Sequence, residues 1–366
     1  MQFSGVLAVQ QRVLPSYRVP FFDLLAQACT GGLYLLAGEP RPIEAIATAY
    51  ALSHAHFTLA HNRHLFHTRH PLYLCWQDDL LPWLEITNPD ALIVEANPRY
   101  LNTLRAVRWM KQRKRPVLGW GLGAPPSNRL LAWHRARFLS RLDGLIAYSE
   151  HGANEYRALN ILPPDHIFTA PNAVARRPSL PPPSRPSHPK HPLTLLFVGR
   201  LQARKRLDLL FQACAHLPHP LQPHLIIVGD GPAREEFQTL AEKIYPQAKF
   251  TGAQHGLELT PYFAAADLFV LPGTGGLAVQ EAMSYGLPVI VAQGDGTQEA
   301  LVRPVNGWLV PPDDLPGLSH ALEDALTSPA RLREMGIESY RIVSEEINLE
   351  TMVQRFIQSL NEVSHV

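Results

Sequence analysis

Apolar residues come in short unbroken runs, separated by longer stretches in which they recur every three or four positions. In the first half the runs are SGVLAV, GLYLLAG, PLYLCW, DALIVEA, PVLGWG and DGLIAYS. In the second half they are LTLLFVG, HLIIVG, DLFVLPG, LPVIVA and GWLVPP. Runs without polar alternation suit strands covered on both faces, and the helical stretches between them supply the crossovers that parallel pairing needs. The pattern predicts an α/β chain of two doubly wound, Rossmann-like domains, residues 1–175 and 193–345, whose ligand sites lie at the carboxyl ends of the strands and face a central cleft. Between them RRPSLPPPSRPSHPKHP, residues 176–192, is too rich in proline for a helix or a central strand and reads as a semi-rigid linker. Residues 346–366 hold a last helix in which Met352, Val353, Phe356, Ile357 and Leu360 share one face. The pattern leaves open which domain receives that face.

A length of 366 residues fits two domains of ordinary size. The 33 basic and 32 acidic residues leave a net charge of +1, so nothing in the balance calls for nucleic acid as a partner. The three cysteines, Cys29, Cys75 and Cys214, lie far apart with no C-x-x-C. Neither a disulfide framework nor a zinc knuckle is supported, and a reducing cytoplasm is the expected compartment. The opening MQFSGVLAVQQRVLPSYR has no basic leader and no small-residue cleavage site, and reads as a first strand. No stretch approaches the ~18 apolar residues of a membrane-spanning helix.

The second half carries loops suited to an anion. A strand ends at Gly199, Arg200 follows, and Lys205 comes five residues later, before a helix. Two cations at a strand end can clamp a diphosphate, Arg200 as a bidentate fork and Lys205 as a movable point charge. In isolation the segment reads first as a solvated basic loop. Gly229 and Gly231 permit a sharp strand-to-helix turn, which many α/β proteins share. More pointed is GTGGLAVQEAMSYG, where Gly273, Gly275 and Gly276 open a helix. Free amides at a helix start attract an anion, and glycines let it come close. Side chains tilt toward the helix N-terminus, so Glu281 leans back toward whatever sits there. A carboxylate would repel phosphate, so Glu281 suits neutral hydroxyls such as a ribose edge; a lone glutamate on a helix is otherwise an ordinary exposed residue.

Taken together, VGRLQARKR, VGDGP, KFTG, YFAAADLFVLPG, GGLAVQEAMSYGLPVI and NGWLVPPDD resemble, in order and spacing, the retaining glycosyltransferases of family 4, which have the GT-B fold. The resemblance covers roughly residues 193–326 and extends to IAYSEHGANEYRALNI and IFTAPNAV in the first half. It implies that Arg200 and Lys205, beside Gly199, hold the diphosphate of a nucleotide sugar and that Glu281 holds the ribose hydroxyls. It also implies that the turn at Gly275 and Gly276, with the amides of Gly276 and Leu277, meets phosphate or sugar, and that Ala253 and Gln254 lie near the base. No metal or other cofactor is implied: the two cations and the helix dipole stabilise the leaving diphosphate. The reaction implied is front-face transfer of a hexose-type sugar to a hydroxyl of a glycan or lipid-linked acceptor.

The chain departs from that family in three places. Many members carry paired glutamates in an E-x7-E spacing, and here Gly273 stands where the first would be. The glycine-rich loop after the first strand is replaced by QQRVLPSYRVPFFDLL, with Arg12, Tyr17 and Arg18 placed to meet an acceptor or a phosphate. Where many members have a histidine near the reacting sugar the chain has GWGLGAPP, leaving Trp120 or the backbone of residues 121–123 to line the site. The vacancy at Gly273 keeps a second reading open, a nucleotide-sugar-binding protein of the same fold without turnover.

Two further features call for weighing. SHAHFTLAHNRHLFHTRH holds His54, His56, His61, His64, His67 and His70 without an accompanying Cys or acid. It reads as a solvated or pH-sensitive surface segment and not as a metal site. LRAVRWMKQRKRP and RLLAWHRARFLSRL are basic helices that include Trp109, Met110, Trp133 and Phe138. Core packing behind a solvated basic face is the first expectation. The alternative is docking on the anionic inner face of a membrane, which suits a lipid-linked acceptor.

Overall fold

The computed structural model describes residues 1–41, 44, 46–66, 70, 73–186, 192–294 and 297–364. It resolves into two compact units, Met1–Val174 with Leu349–Val366 and Ala175–Asn348.

The first unit contains β1 (Leu7–Val13), β2 (Leu33–Gly38), β3 (His56–Ala60), β4 (Asn62–Leu65), β5 (Leu74–Gln77), β6 (Ala91–Glu95), β7 (Val117–Gly121), β8 (Gly144–Ala147) and β9 (Ile167–Thr169). Seven of these pair in parallel in the order β3-β2-β1-β6-β7-β8-β9. The order reverses direction between β1 and β6. On one face lie the helices Val19–Gln27 and Leu349–Ser364, where Phe21 and Phe356 meet edge to face at 5.0 Å and both touch Trp120. The five residues expected on one face of the last helix are all buried. The opposite face is covered by helices contributing Leu80, Trp83, Val107, Met110, Phe138 and Tyr156 to one core.

The segment PLYLCW does not join this sheet as a buried parallel strand. Its β5 pairs antiparallel with β4, Asn62 opposite Gln77 and Leu65 opposite Leu74. Along β5 buried and half-buried residues alternate, the mark of a ribbon covered on one side. The histidine-rich segment is likewise more ordered than expected, forming edge strand β3 and then β4. His56 stacks on Tyr34 at 4.6 Å, and a His64 ring nitrogen lies 2.9 Å from the Tyr73 hydroxyl. Burial, then the charges of Arg41 and Arg12, hold the His64 pKa below its usual value. His67 lies outside the described residues. Among the described residues no group of three or more His, Cys, Asp or Glu could hold a metal ion.

The second unit contains β10 (Thr194–Val198), β11 (His224–Val228), β12 (Lys249–Gly252), β13 (Leu268–Leu271), β14 (Val289–Ala292) and β15 (Gly307–Val310). All pair in parallel in the order β12-β11-β10-β13-β14-β15. The switch in direction falls between β10 and β13, the place where such sheets open a crevice at their carboxyl edge. The described part of the proline-rich segment packs on this unit instead of spanning free. Arg185 donates to the carbonyls of Ala266, Phe263 and Tyr285 at 2.9, 2.7 and 2.6 Å. Three backbone acceptors around one guanidinium fix the segment as a strap along its own domain. Among the described residues no helix is long and apolar enough to cross a membrane.

Candidate functional site

At the β10/β13 switch two loops meet. After β10, Gly199 and Arg200 lead into the turn Ala203–Lys205, and Arg206 leaves it in the left-handed region at φ 53°. The Arg206 guanidinium is anchored on Asp208 at 3.0 Å and also pairs with Asp313, which pins the exit of the turn. The loop after β13 lies directly against it: the Thr274 amide donates to the Arg204 carbonyl at 3.1 Å, and Lys205 Nζ donates to the Thr274 carbonyl at 2.7 Å. Lys205 is only 8% exposed. Among the described residues it has no carboxylate partner, and burial, then the charge of Arg204, push its pKa down to about 8.

The close approach explains two of the glycines. A Cβ on Gly273 would stand 2.2 Å from the Arg204 carbonyl oxygen, and one on Gly275 (φ 139°) would stand 2.3 Å from Lys205 Nζ. The family's first glutamate is therefore not simply replaced at Gly273; this loop leaves no room for any side chain there. At Gly276, by contrast, nothing lies within 4 Å of where a Cβ would be. Helix Leu277–Ser284 starts from Gly276 without a side-chain cap, and the Val279 amide turns back to the Gly276 carbonyl at 3.1 Å. Leu277 is exposed and Glu281 half-buried. Burial raises the Glu281 carboxyl above its ordinary value, and among the described residues nothing pairs with it. An anion above the helix start with hydroxyls beside Glu281 is the ligand these groups suit chemically.

The structure thus joins Lys205 with Gly275 and sets Gly276, Leu277 and Glu281 on the adjoining helix. Arg200 shares the Lys205 loop with its side chain exposed. Gly199 is held by its amide to the Val228 carbonyl at 3.0 Å, and the Gly229 turn packs beside it, donating to the Gly252 carbonyl at 2.8 Å. Ala253 and Gln254 follow β12, and no contact among the described residues ties them to the Lys205 turn. A residue that sequence reasoning passed over is Gln298, buried and donating to the Gly275 carbonyl at 3.4 Å. Nothing in its neighbourhood in sequence marks it, because the contact is made across the sheet edge.

In the first unit the carboxyl edge carries a pocket of about 790 Å³, lined by Glu95, Asn97, Arg99, Trp120, His134 and Tyr148 among others. Trp120 is buried, and its indole N–H has no partner among the described residues. The two arginines expected to meet a ligand here both have partners within the fold. Arg18 is buried, donates to Asn172 Oδ1 at 2.5 Å and stacks on Trp120 with its guanidinium carbon 5.0 Å from the ring centre. Arg12 pairs with Glu44 at 2.9 Å, both side chains largely covered. Tyr17 remains 39% exposed. Glu95 is the group missed in this unit. It ends β6 at the β1/β6 switch and accepts the Arg12 amide at 2.5 Å. Burial raises its carboxyl above the ordinary value despite that amide and the Tyr100 hydroxyl. The available signal was an acid ending an otherwise apolar run.

Two wound parallel sheets, each with its loops gathered at a switch point, define the general class. Solved structures of the same architecture include Anabaena HepE in complex with UDP, which matches 99% of this chain and 100% of that chain at a TM-score of 0.70 and 15% identity. The outer-core galactosyltransferase WaaB matches 96% and 99% at 0.68 and 17%. The fold is GT-B. Residues 192–328 match the family model of the Glycosyl transferases group 1. Over 151 residues the chain is 38% identical to a GDP-mannose-dependent alpha-mannosyltransferase of Mycolicibacterium smegmatis, and over 122 residues 37% identical to the sulfoquinovosyl transferase SQD2 of Arabidopsis thaliana. These matches take in 40% and 32% of this chain and span 37% and 23% of the two relatives. Residues 192–328, within the second unit, are thus similar to the group 1 glycosyltransferases.

Proposed function

We propose that the chain is a glycosyltransferase that moves a hexose-type sugar from a nucleotide diphosphate donor to an acceptor hydroxyl, with retention of configuration and without a metal. One observation carries the reading: a buried lysine with no carboxylate partner among the described residues, set against a glycine turn that opens an uncapped helix. Lys205 supplies a cation in a low-dielectric setting, where it stabilises a departing diphosphate more than it would in water. Arg200 adds a second, movable charge, the helix amides a third positive element, and Glu281 receives the ribose hydroxyls. Ala253 and Gln254 are the nearest candidates for the base in this reading. The names of the relatives support a nucleotide-linked donor, since the mannosyltransferases are GDP-mannose-dependent and HepE was solved with UDP. The acceptor, a glycan or a lipid-linked sugar, belongs to the pocket of the first unit, with Trp120 as its floor.

A thermal-shift series with UDP-, GDP- and ADP-sugars tests the donor. A ligand at about 100 times its Kd raises folding stability by about 2.7 kcal/mol. No shift with any of them refutes the reading. Release of nucleotide in the presence of acceptor, unaltered by a chelator and giving a product of the donor's anomeric configuration, completes the test. The steric closure at Gly273 favours one rival, a protein that binds nucleotide sugars without turnover; binding without release across a broad acceptor range would establish it.

A further inference from the structure

The two basic helices of the first unit, alike in sequence, have opposite fates. In Thr103–Gln112 the residues Ala106, Val107 and Met110 are buried, and Trp109 packs against the core with Arg113 3.7 Å above its ring. In Arg129–Leu139 only Phe138 and Leu139 are buried, while Leu130 is 73% exposed, Trp133 57% and Leu131 51%. Fraying does not account for this. Asn128 caps the helix, its Oδ1 accepting the Leu131 amide at 2.9 Å, and Arg135 ties the preceding loop through the Pro125 carbonyl at 2.7 Å. A capped helix holds Leu130 and Trp133 out in water, while Leu131 and Leu122, also exposed, line the pocket beside it.

The charge along the helix itself is one-sided. Residues 122–142 contain Arg129, Arg135, Arg137 and Arg141 and no acid. The carboxylates that follow are engaged: Asp143 faces Lys111 at 3.0 Å, Glu150 faces Arg157 at 2.5 Å, and Glu155 faces His151 at 3.4 Å and lies beside Gly123. Leu130, Trp133 and Arg137 are spaced three and four apart, so they share a face, and the Arg137 guanidinium lies 5.5 Å from the Trp133 ring. A tryptophan and leucines beside arginines, with no acid among them, match the boundary between acyl chains and anionic headgroups: rings and leucines enter the apolar layer and guanidiniums stay with phosphate. An acidic protein surface would satisfy the arginines but leave the leucines without apolar cover.

We propose that the face of helix Arg129–Leu139 carrying Leu130, Trp133 and Arg137 docks the protein on an anionic lipid bilayer. The inner turns of the same helix, at Leu131, His134 and Arg135, line the pocket of the first unit, so docking brings the mouth of that pocket to the lipid surface. That the pocket then receives a lipid-linked acceptor rests on the proposed function; the docking itself does not.

The test is co-sedimentation of the full chain with phosphatidylcholine vesicles, with and without about 30% phosphatidylglycerol, at low and high salt. Binding to the anionic vesicles alone, weakened by salt, is expected. Leu130→Ser with Trp133→Ser should weaken it at least about tenfold, because both apolar anchors are lost. Arg129→Glu with Arg137→Glu should abolish it independently, so one poorly folding variant does not remove the test. Absence of wild-type binding to anionic vesicles, or wild-type affinity in both double variants, overturns the proposal. So does concentration-dependent self-association in gel filtration that the Leu130/Trp133 variant removes, since the face would then join two copies. Thermal shifts with nucleotide sugars on the same preparations report the second unit separately, so failure of the donor reading and failure of docking are told apart.

Discussion

Raising the pH from 7 to 9 removes the proton from Lys205 in the empty protein, because burial and the charge of Arg204 place its pKa at about 8. A bound diphosphate replaces the missing counter-charge and returns the ammonium to at least its ordinary pKa of 10.5. Between those values the free site must take up a proton before it can make the ion pair. The affinity cost scales as one plus the ratio of neutral to charged lysine, which is about 1.1 at pH 7 and about 11 at pH 9. Nucleotide diphosphate binding should therefore weaken about tenfold over that range, or about 1.4 kcal/mol. Titration calorimetry with UDP, GDP and ADP, in two buffers of different ionisation heat, measures both consequences. At pH 9, where the ligand's own phosphates are fully ionised, the best ligand should draw in about 0.9 proton. Lys205→Met should show a flat profile at the weak level. Equal affinity at pH 7 and 9 with no proton uptake would refute the role given to Lys205. Linkage adds a sign for the empty protein: the unfolded chain holds this proton to about 10.5 and the folded chain only to about 8, so folding stability rises with pH across that window.

Three further outcomes follow from the geometry. Gly273→Ala should reduce nucleotide affinity about tenfold or more, since its Cβ would sit 2.2 Å from the Arg204 carbonyl and push the Lys205 turn away; wild-type affinity in a binding titration would show that the turn yields without cost. Glu281→Gln should weaken donor binding by about 1.5–3 kcal/mol through the loss of charge-assisted bonds to hydroxyls, and unchanged affinity would return Glu281 to the ordinary helix acids. Phe356→Ala should destabilise the first unit by about 3–5 kcal/mol in a denaturant melt, because the ring is buried against Phe21 and Trp120; a loss below about 1 kcal/mol would mean that the last helix contributes little to that core.

How far the sequence could be read depended on whether burial left a local trace. Runs such as LTLLFVG and DALIVEA are covered on both faces and therefore announce themselves as the central strands β10 and β6. Edge strand β3 has one buried residue, Ala60, and the histidines in and around it hid it. In the second unit the glycines, Lys205 and Glu281 could be singled out because turns and helix starts constrain residue type locally. Why Gly273 must be glycine was not legible, since the opposing carbonyl belongs to Arg204, far away in the chain. In the first unit Arg12 and Arg18 looked free in sequence, yet Glu44 and Asn172 reach them only through the tertiary fold. Glu95 was missed for the same reason: parallel pairing of β1 with β6 brings its carboxylate to the Arg12 amide.

A structure with a nucleotide diphosphate bound would show whether Lys205 and the Leu277 helix start hold the donor. The diphosphate should lie within about 2.7–3.2 Å of Lys205 Nζ and of the first amides of the helix at Leu277, with the ribose hydroxyls on Glu281. A diphosphate bound away from the β10 and β13 loops, with Lys205 still turned only to the Thr274 carbonyl, would contradict it.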